Sequence, residues 1–359
     1  MAGQADRILY LGTWDGLYQA EPNGHGYKTR LLGLESPNTP NARWNDHRGG
    51  RSEGYGAIRC PVVVDKDDPR RLYAPTNREG MWLSEDGGET WREINRGLVY
   101  KEVWSLAQHP RTGELMVGTG PSAFFASTDR GESWVEAAQL RTLPTTKHWT
   151  FPGPPFVSHI KDIGLCADDP SLVFGSIEEG GVVRSRDGGH TWDQIDESNG
   201  IYDDVHTVSV MPDDHRTLVA TTGKGVYRSE DGGDTWALSS DGLERWTYMS
   251  HLLVHPARPR VLFTAAAGSP PPTWVQPAGA NAAFFRSEDQ GRSWQRLTGG
   301  LPDYFKAAPR CVVGDPEDPD AVFVGMTDGT AWLSEDGGES FRCIVEGLNQ
   351  VTSIRVAHR

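Results

Sequence analysis

The sequence predicts an all-β fold assembled from repeated units, and three observations carry that expectation. Glycine supplies 42 of 359 residues, about 12% against a usual ~7%, and 13 tryptophans accompany it. That pairing fits many tight turns between short, aromatic-rich strands. One phrase then returns six times, beginning at Ser84, Ser127, Ser185, Ser229, Ser287 and Ser334 and ending at Trp91, Trp134, Trp192, Trp236, Trp294 and Phe341. Its spacing of roughly 43 to 58 residues matches four-stranded propeller blades of about 40 to 45 residues with loop insertions. The third observation is that the two chain ends are strand fragments that complete each other.

Each repeat reads the same way along the chain. An apolar first strand such as Val205–Val210 ends near a Pro/Asp turn. A second strand (Thr217–Thr221) and a short glycine turn follow. The third strand (Gly225–Ser229) enters the repeated phrase, and a fourth begins after its Trp. First strands begin near Ile58, Val103, Ile160, Val205, Met249 and Pro309, which makes six blades. The N-terminal segment 7–32 supplies three further strands without the phrase, and the tail 351–357 looks like a first strand with nothing after it. Joined, they make a seventh blade and leave no free edge. The expectation is one domain over residues 1–359, a seven-bladed β-propeller with terminal strand closure, with six blades as the alternative.

The phrase S-x-D-x-G-x-[TS]-[WF], as in Ser84-Glu-Asp-Gly-Gly-Glu-Thr-Trp91, resembles the Asp-box, or bacterial neuraminidase repeat, of sialidase-like β-propellers. The resemblance runs over essentially the whole chain. Its physical reading is a fastener: the carboxylate can bond local N–H groups, glycine supplies a positive φ, and Trp offers a large apolar face. It lacks the alternating oxygen ligands of a calcium loop. Sialidases of this group use three arginines, a tyrosine–glutamate pair and an aspartate, with an early Arg-Ile-Pro motif. Ala57-Ile-Arg-Cys-Pro61 is a loose echo of that motif, and Arg310 and Tyr248 do not complete the set. Xyloglucanase-type relatives place their active site between two propellers, and one is expected here. Sortilin-type receptors have ten blades. Photosystem assembly factors of this type carry an export signal, which the segment Met1–Tyr10 does not resemble. What the resemblance then implies is the broad group of single-propeller bacterial proteins with such repeats.

Charge narrows the partners. With 35 Lys and Arg against 49 Asp and Glu, the net charge is −14. Neither a nucleic-acid footprint nor a basic membrane patch is expected. Mean hydropathy is −0.53, and no run approaches ~18 apolar residues. Four irregularly spaced cysteines form neither a disulfide framework nor a CxxC site, which fits a reducing compartment and a cytoplasmic protein.

Connectivity places the candidate site. In a propeller the repeated turns share one face, and the long insertions Gly33–Gly56, Gln139–Ser158 and Gly268–Ala282 fall on the other, with Trp14, Trp44, Trp149, Trp246 and Trp274 in or beside them. Trp104, inside a first strand, is explained by packing. The first strands enter from that insertion face and bring polar residues to the channel mouth. Glu178, Asp162 and Asp203 are candidate general acid or base, since facing carboxylates can span the roughly 6.5–9.5 Å of an inverting glycosidase. His206 is a candidate proton shuttle. Arg59, Lys161 and Arg310 form a candidate anion clamp, with Tyr248 and Trp149 as further ligand contacts. A divalent metal is a candidate cofactor on His159, His206 and His251, with Glu178 or Asp204 nearby. Counted back from their strand-end turns, however, His206 and His251 differ by one place, which would point them to opposite sides.

Two functions follow as expectations. One is a hydrolase or lyase for a small carbohydrate-like or anionic substrate at the mouth. The other is a non-catalytic propeller that binds a ligand or protein partner through its Trp-bearing loops.

Overall fold

A computed structural model describes residues 6–36, 57–153 and 155–359. It contains seven four-stranded antiparallel sheets, and these are the blades of a propeller. Blade 1 is the closing blade. The C-terminal strand Val351–His358 is innermost, followed outward by Arg7–Thr13, Leu17–Asn23 and Gly26–Gly33. Its seam pairs Ile8 with Ala357, Leu9 with Val356 and Leu11 with Ile354. The innermost strands of blades 3 to 7 are Glu102–Gln108, Ile160–Leu165, Val205–Met211, Tyr248–Val254 and Pro309–Gly314. In blade 2 the innermost strand is only Val63–Val64. The strand expected from Ile58 starts late, because Pro61 has no N–H for the ladder.

Seven apolar clusters hold the ring together, each between neighbouring blades. The repeated turns fasten the blades from outside. In the first copy Ser84 Oγ donates to Asp86 Oδ1 at 2.7 Å and accepts from Gly88 N at 2.8 Å. Asp86 then accepts from Thr90 N at 2.9 Å and Thr90 Oγ1 at 2.6 Å. Trp134, Trp192, Trp236, Trp294 and Phe341 are buried. Trp134 Nε1 donates to Ile94 O of the preceding blade at 2.7 Å, and Trp294 Nε1 donates to Ser239 O at 3.1 Å. Phe341 keeps the apolar contact, edge-on to Phe284 at 5.4 Å, without an N–H to give. No helix among the described residues is long and apolar enough to cross a membrane.

One irregularity recurs and positions the site. The ladder between first and second strands slips near its start in six blades, leaving extra residues on the inner strand. These are Trp104, Lys161, His206, one of the pair Ser250–His251 that faces Ala265 alone, Arg310 and Thr352. Arg59 holds the matching place ahead of Val63. A bulge re-aims its extra residue and leaves a backbone group unpaired. Hydroxyls from the inner strands and their neighbours meet several of the stranded carbonyls: Ser105 Oγ donates to Ile160 O at 2.9 Å, Ser176 Oγ to His206 O at 3.1 Å and Thr264 Oγ1 to His251 O at 3.0 Å.

Candidate functional site

The bulge residues converge on one pocket at the channel mouth, of about 240 Å³. Arg59, Trp104, Lys161, His206, His251, Arg310 and Thr352 all line it. Trp14, Phe151, Tyr248 and Trp274 complete its aromatic wall, and Glu178 and Asp162 bring carboxylates.

Glu178 sits in the hairpin between Val173–Ile177 and Gly181–Ser185, and only 4% of its surface is exposed. Its Oε2 accepts from Lys161 Nζ at 2.7 Å and contacts His159 Nε2 at 3.1 Å. Burial alone would push this carboxyl up. The Lys161 ammonium, the His159 hydrogen bond and nearby His206 outweigh it and hold Glu178 well below the usual range. Asp162 is the opposite case: burial pushes its carboxyl up to about 6, against weak help from the N–H groups of Ile163 and Val208. Asp162 and His251 also line a second cavity of about 490 Å³ further along the channel.

An aromatic stack forms one side. His159 lies on Trp104 with centroids 3.4 Å apart and planes at 14°. The Arg59 guanidinium lies 4.2 Å from the Trp104 ring and 5.0 Å from that of Trp14. On the far side Arg310 lies 5.5 Å from Trp274, which meets Tyr248 edge-on at 5.7 Å. Burial lowers both arginines, Arg59 to about 10. Neither Arg59 nor Arg310 forms an ion pair among the described residues, and the Nε of each is buried without a hydrogen-bond partner. Burial also raises the Tyr248 hydroxyl well above its ordinary value, with Glu178 and Asp204 adding to it.

The structure brings together most of the residues singled out from sequence and separates three. Trp149 lies off the pocket wall, its indole N–H donating to Gln194 Oε1 at 3.1 Å while its ring packs on a core cluster. Trp246 is buried in another cluster. Asp203 holds Gly180 N and Gly181 N through its carbonyl, at 3.1 and 2.9 Å, and does not line the pocket. Trp44 lies outside the described residues.

The one-place offset between His206 and His251 does not set them apart. Each sits one residue before the ladder resumes, His206 ahead of Thr207 and His251 ahead of Leu252, so both histidines reach the pocket. The three histidines do not share a ligand set, though. His251 Nδ1 contacts Arg310 O at 2.7 Å, and burial lowers this imidazole to about 4. The donor atoms that do cluster belong to Glu178, Asp204 and His206, within 4.8 Å of one another.

Trp104 lines the pocket, although the sequence assigns it to strand packing. The signal was present: aligned on their bulges, Ile58-Arg-Cys, Val103-Trp-Ser, Ile160-Lys-Asp, Val205-His-Thr, Pro309-Arg-Cys and Val351-Thr-Ser share one middle position. The cysteines are free. Burial holds Cys311 up at about 12 and Cys60 higher still, so neither supplies a thiolate.

No known family profile matches the chain. A curated oligoxyloglucan-reducing end-specific xyloglucanase from Emericella nidulans is 25% identical over 177 residues, 46% of this chain and 20% of that protein. The chain thus spans about a fifth of the length of the curated relatives it matches. Among solved structures, a GH74 xyloglucanase from Xanthomonas campestris superposes with a TM-score of 0.60 at 16% identity, covering 80% of this chain and 45% of that one. YCF48 bound to D1 peptide superposes with a TM-score of 0.56 at 16% identity, covering 91% and 92%. Likeness at this level is likeness of fold, and it establishes this chain as a seven-bladed β-propeller structurally similar to GH74 xyloglucanases and to YCF48.

Proposed function

We propose that this is a carbohydrate-acting propeller that cleaves a small, acidic glycan at the channel mouth. The carrying observation is a pair of carboxylates in one aromatic pocket whose environments push them apart. Glu178 is held charged, and Asp162 is held protonated up to about pH 6. Such separation is how one site runs acid and base chemistry together. Asp162 donates its proton to the glycosidic oxygen as the C–O bond breaks. Glu178, through its unbonded oxygen, accepts a proton from the water that attacks the anomeric carbon. The flat faces of Trp14 and Trp274 suit a sugar ring, while Trp104, its ring taken by His159 and Arg59, holds the cation beside them. Arg59 and Arg310, buried and without an ion pair among the described residues, suit a carboxylate or sulfate on it.

The pocket lies below the ~300–1,000 Å³ of drug-sized sites, which fits one small ring rather than a long chain. Partial likeness to a xyloglucanase supports the sugar, and this chain's arginines support the acidic group. The test is release of reducing ends from uronate-bearing and neutral oligosaccharides. Release from the acidic set, lost in Glu178→Gln and Asp162→Asn, is expected. Release from neither set, with a peptide bound at the mouth instead, would favour the non-catalytic reading that the peptide-bound YCF48 neighbour fits.

A further inference from the structure

We infer that Glu178, Asp204 and His206 form a site for one divalent transition-metal ion of the zinc type. The tautomer of His206 carries the argument. Its Nδ1 lies 2.6 Å from Met249 O, and a carbonyl only accepts, so Nδ1 bears the hydrogen. Its Nε2 then faces Asp204 Oδ1 at 3.2 Å, another acceptor. Among the described residues neither atom has a hydrogen-bond partner although both are buried, and His206 is only 2% exposed. Two lone pairs held face to face in the protein interior repel each other unless a proton or a metal ion sits between them, and the ion is the occupant that the third ligand, Glu178, favours.

The spacing suits an ion. Bonds of ~2.0–2.1 Å arranged tetrahedrally put neighbouring donors about 3.3 Å apart, close to the observed 3.2 Å. Glu178 completes the group within 4.8 Å. Its Oε2 is fixed by Lys161 and His159, and among the described residues no hydrogen bond takes Oε1. A carbonyl behind the histidine and donors behind the carboxylate orient ligands as outer partners do in metal sites. Asp204 is seated against Gly223, where a Cβ would come within 2.2 Å of its Oδ2. One imidazole with two carboxylates suits Zn²⁺ or Co²⁺ better than Mg²⁺ or Ca²⁺, which prefer oxygen alone. With three protein ligands the ion keeps an open position on the pocket for water, and it would activate that water in place of the free Glu178 carboxylate. The site is thus independent of whether the substrate is a glycan.

The experiment is calorimetric titration of the chelator-treated full chain with ZnCl₂. One Zn²⁺ per chain is expected, with binding lost in Asp204→Asn and weakened about 10- to 100-fold in His159→Gln, which removes one of the two contacts that orient the Glu178 carboxylate. Far-UV circular dichroism checks the fold of each variant. Should Asp204→Asn fail to fold, the wild type still decides the matter. Co²⁺ must give a hyperfine-shifted, exchangeable imidazole N–H, that of His206 Nδ1. No Zn²⁺ uptake, uptake unchanged in a folded Asp204→Asn, or no shifted N–H with Co²⁺ overturns the inference. Glycan release without Zn²⁺ binding would refute the ion and leave the carboxylate pair, and Zn²⁺ binding without glycan release would do the reverse.

Discussion

Trp104 is the extra residue of its bulge and Asp162 the first paired residue after another, and each makes a separate demand on activity. Burial raises the Asp162 carboxyl to about 6, from ~3.9 in an unfolded chain. Folding therefore favours its protonated form. That contribution is whole below about pH 4 and is lost as pH rises through 6. A proton donor must carry its proton, so kcat is expected to fall about tenfold per unit above pH 6. Asp162→Asn should abolish this limb together with 10²- to 10⁴-fold of the rate, in a pH–rate profile on the acidic oligosaccharide. Trp104 makes a different demand, since its ring carries both Arg59 and His159. Trp104→Ala removes the stack that holds the cation, so KM should rise more than kcat falls, while Trp104→Phe keeps most of the binding.

At the scale of the element, the repeated turn is a capsule of local bonds. Hydrogen bonds from Thr90, Ser133 and Thr191 hold Asp86, Asp129 and Asp187 at about 2. A carboxylate lowered on folding contributes stability above its unfolded value near pH 4, and that contribution is lost as pH falls through 2. Tm is expected to drop between pH 4 and 2, and less steeply in Asp86→Asn, as read by calorimetry. The turns also need glycine beside them. Gly242 has φ +82°, and a Cβ there would lie 2.0 Å from Trp294 O, a backbone atom with nowhere to move. Gly242→Ala should cost more than about 1 kcal/mol, measured by urea unfolding.

The whole ring depends on its seam. Arg7, buried on the N-terminal strand, reaches Asp315 at 2.6 Å, Asp318 at 2.9 Å and Glu335 at 3.2 Å in blade 7. His358 Nε2 also contacts Asp315 Oδ1 at 2.6 Å. Removing one side of a buried ion pair leaves charge without a partner, so Arg7→Ala should lower stability by about 3–5 kcal/mol in equilibrium unfolding. Deleting residues 351–359 strips the innermost strand of blade 1 and bares the edge of Arg7–Thr13. The truncated chain is expected to aggregate or to elute as oligomers on size exclusion, because an open edge recruits other chains.

The sequence by itself determined the repeat, the number of blades and the closing of the ring by its two ends. Those properties live in local turn chemistry and strand patterning, which recur in register and need no knowledge of contacts between blades. It also placed Arg59, Lys161, His206, His251 and Arg310 at the mouth, because connectivity fixes which face the first strands enter. Only the tertiary structure decided which of them meet. A bulge shifts a strand by one residue, and side chains alternate with period two, so a single slip reverses which side a residue serves. That is why His206 and His251 reach one pocket despite their offset, why Trp104 is wall rather than filler, and why Asp203 is left out while its neighbour Asp204 faces His206. The opposite shifts of Glu178 and Asp162 were equally invisible, because they come from burial and from partners that other strands and blades deliver.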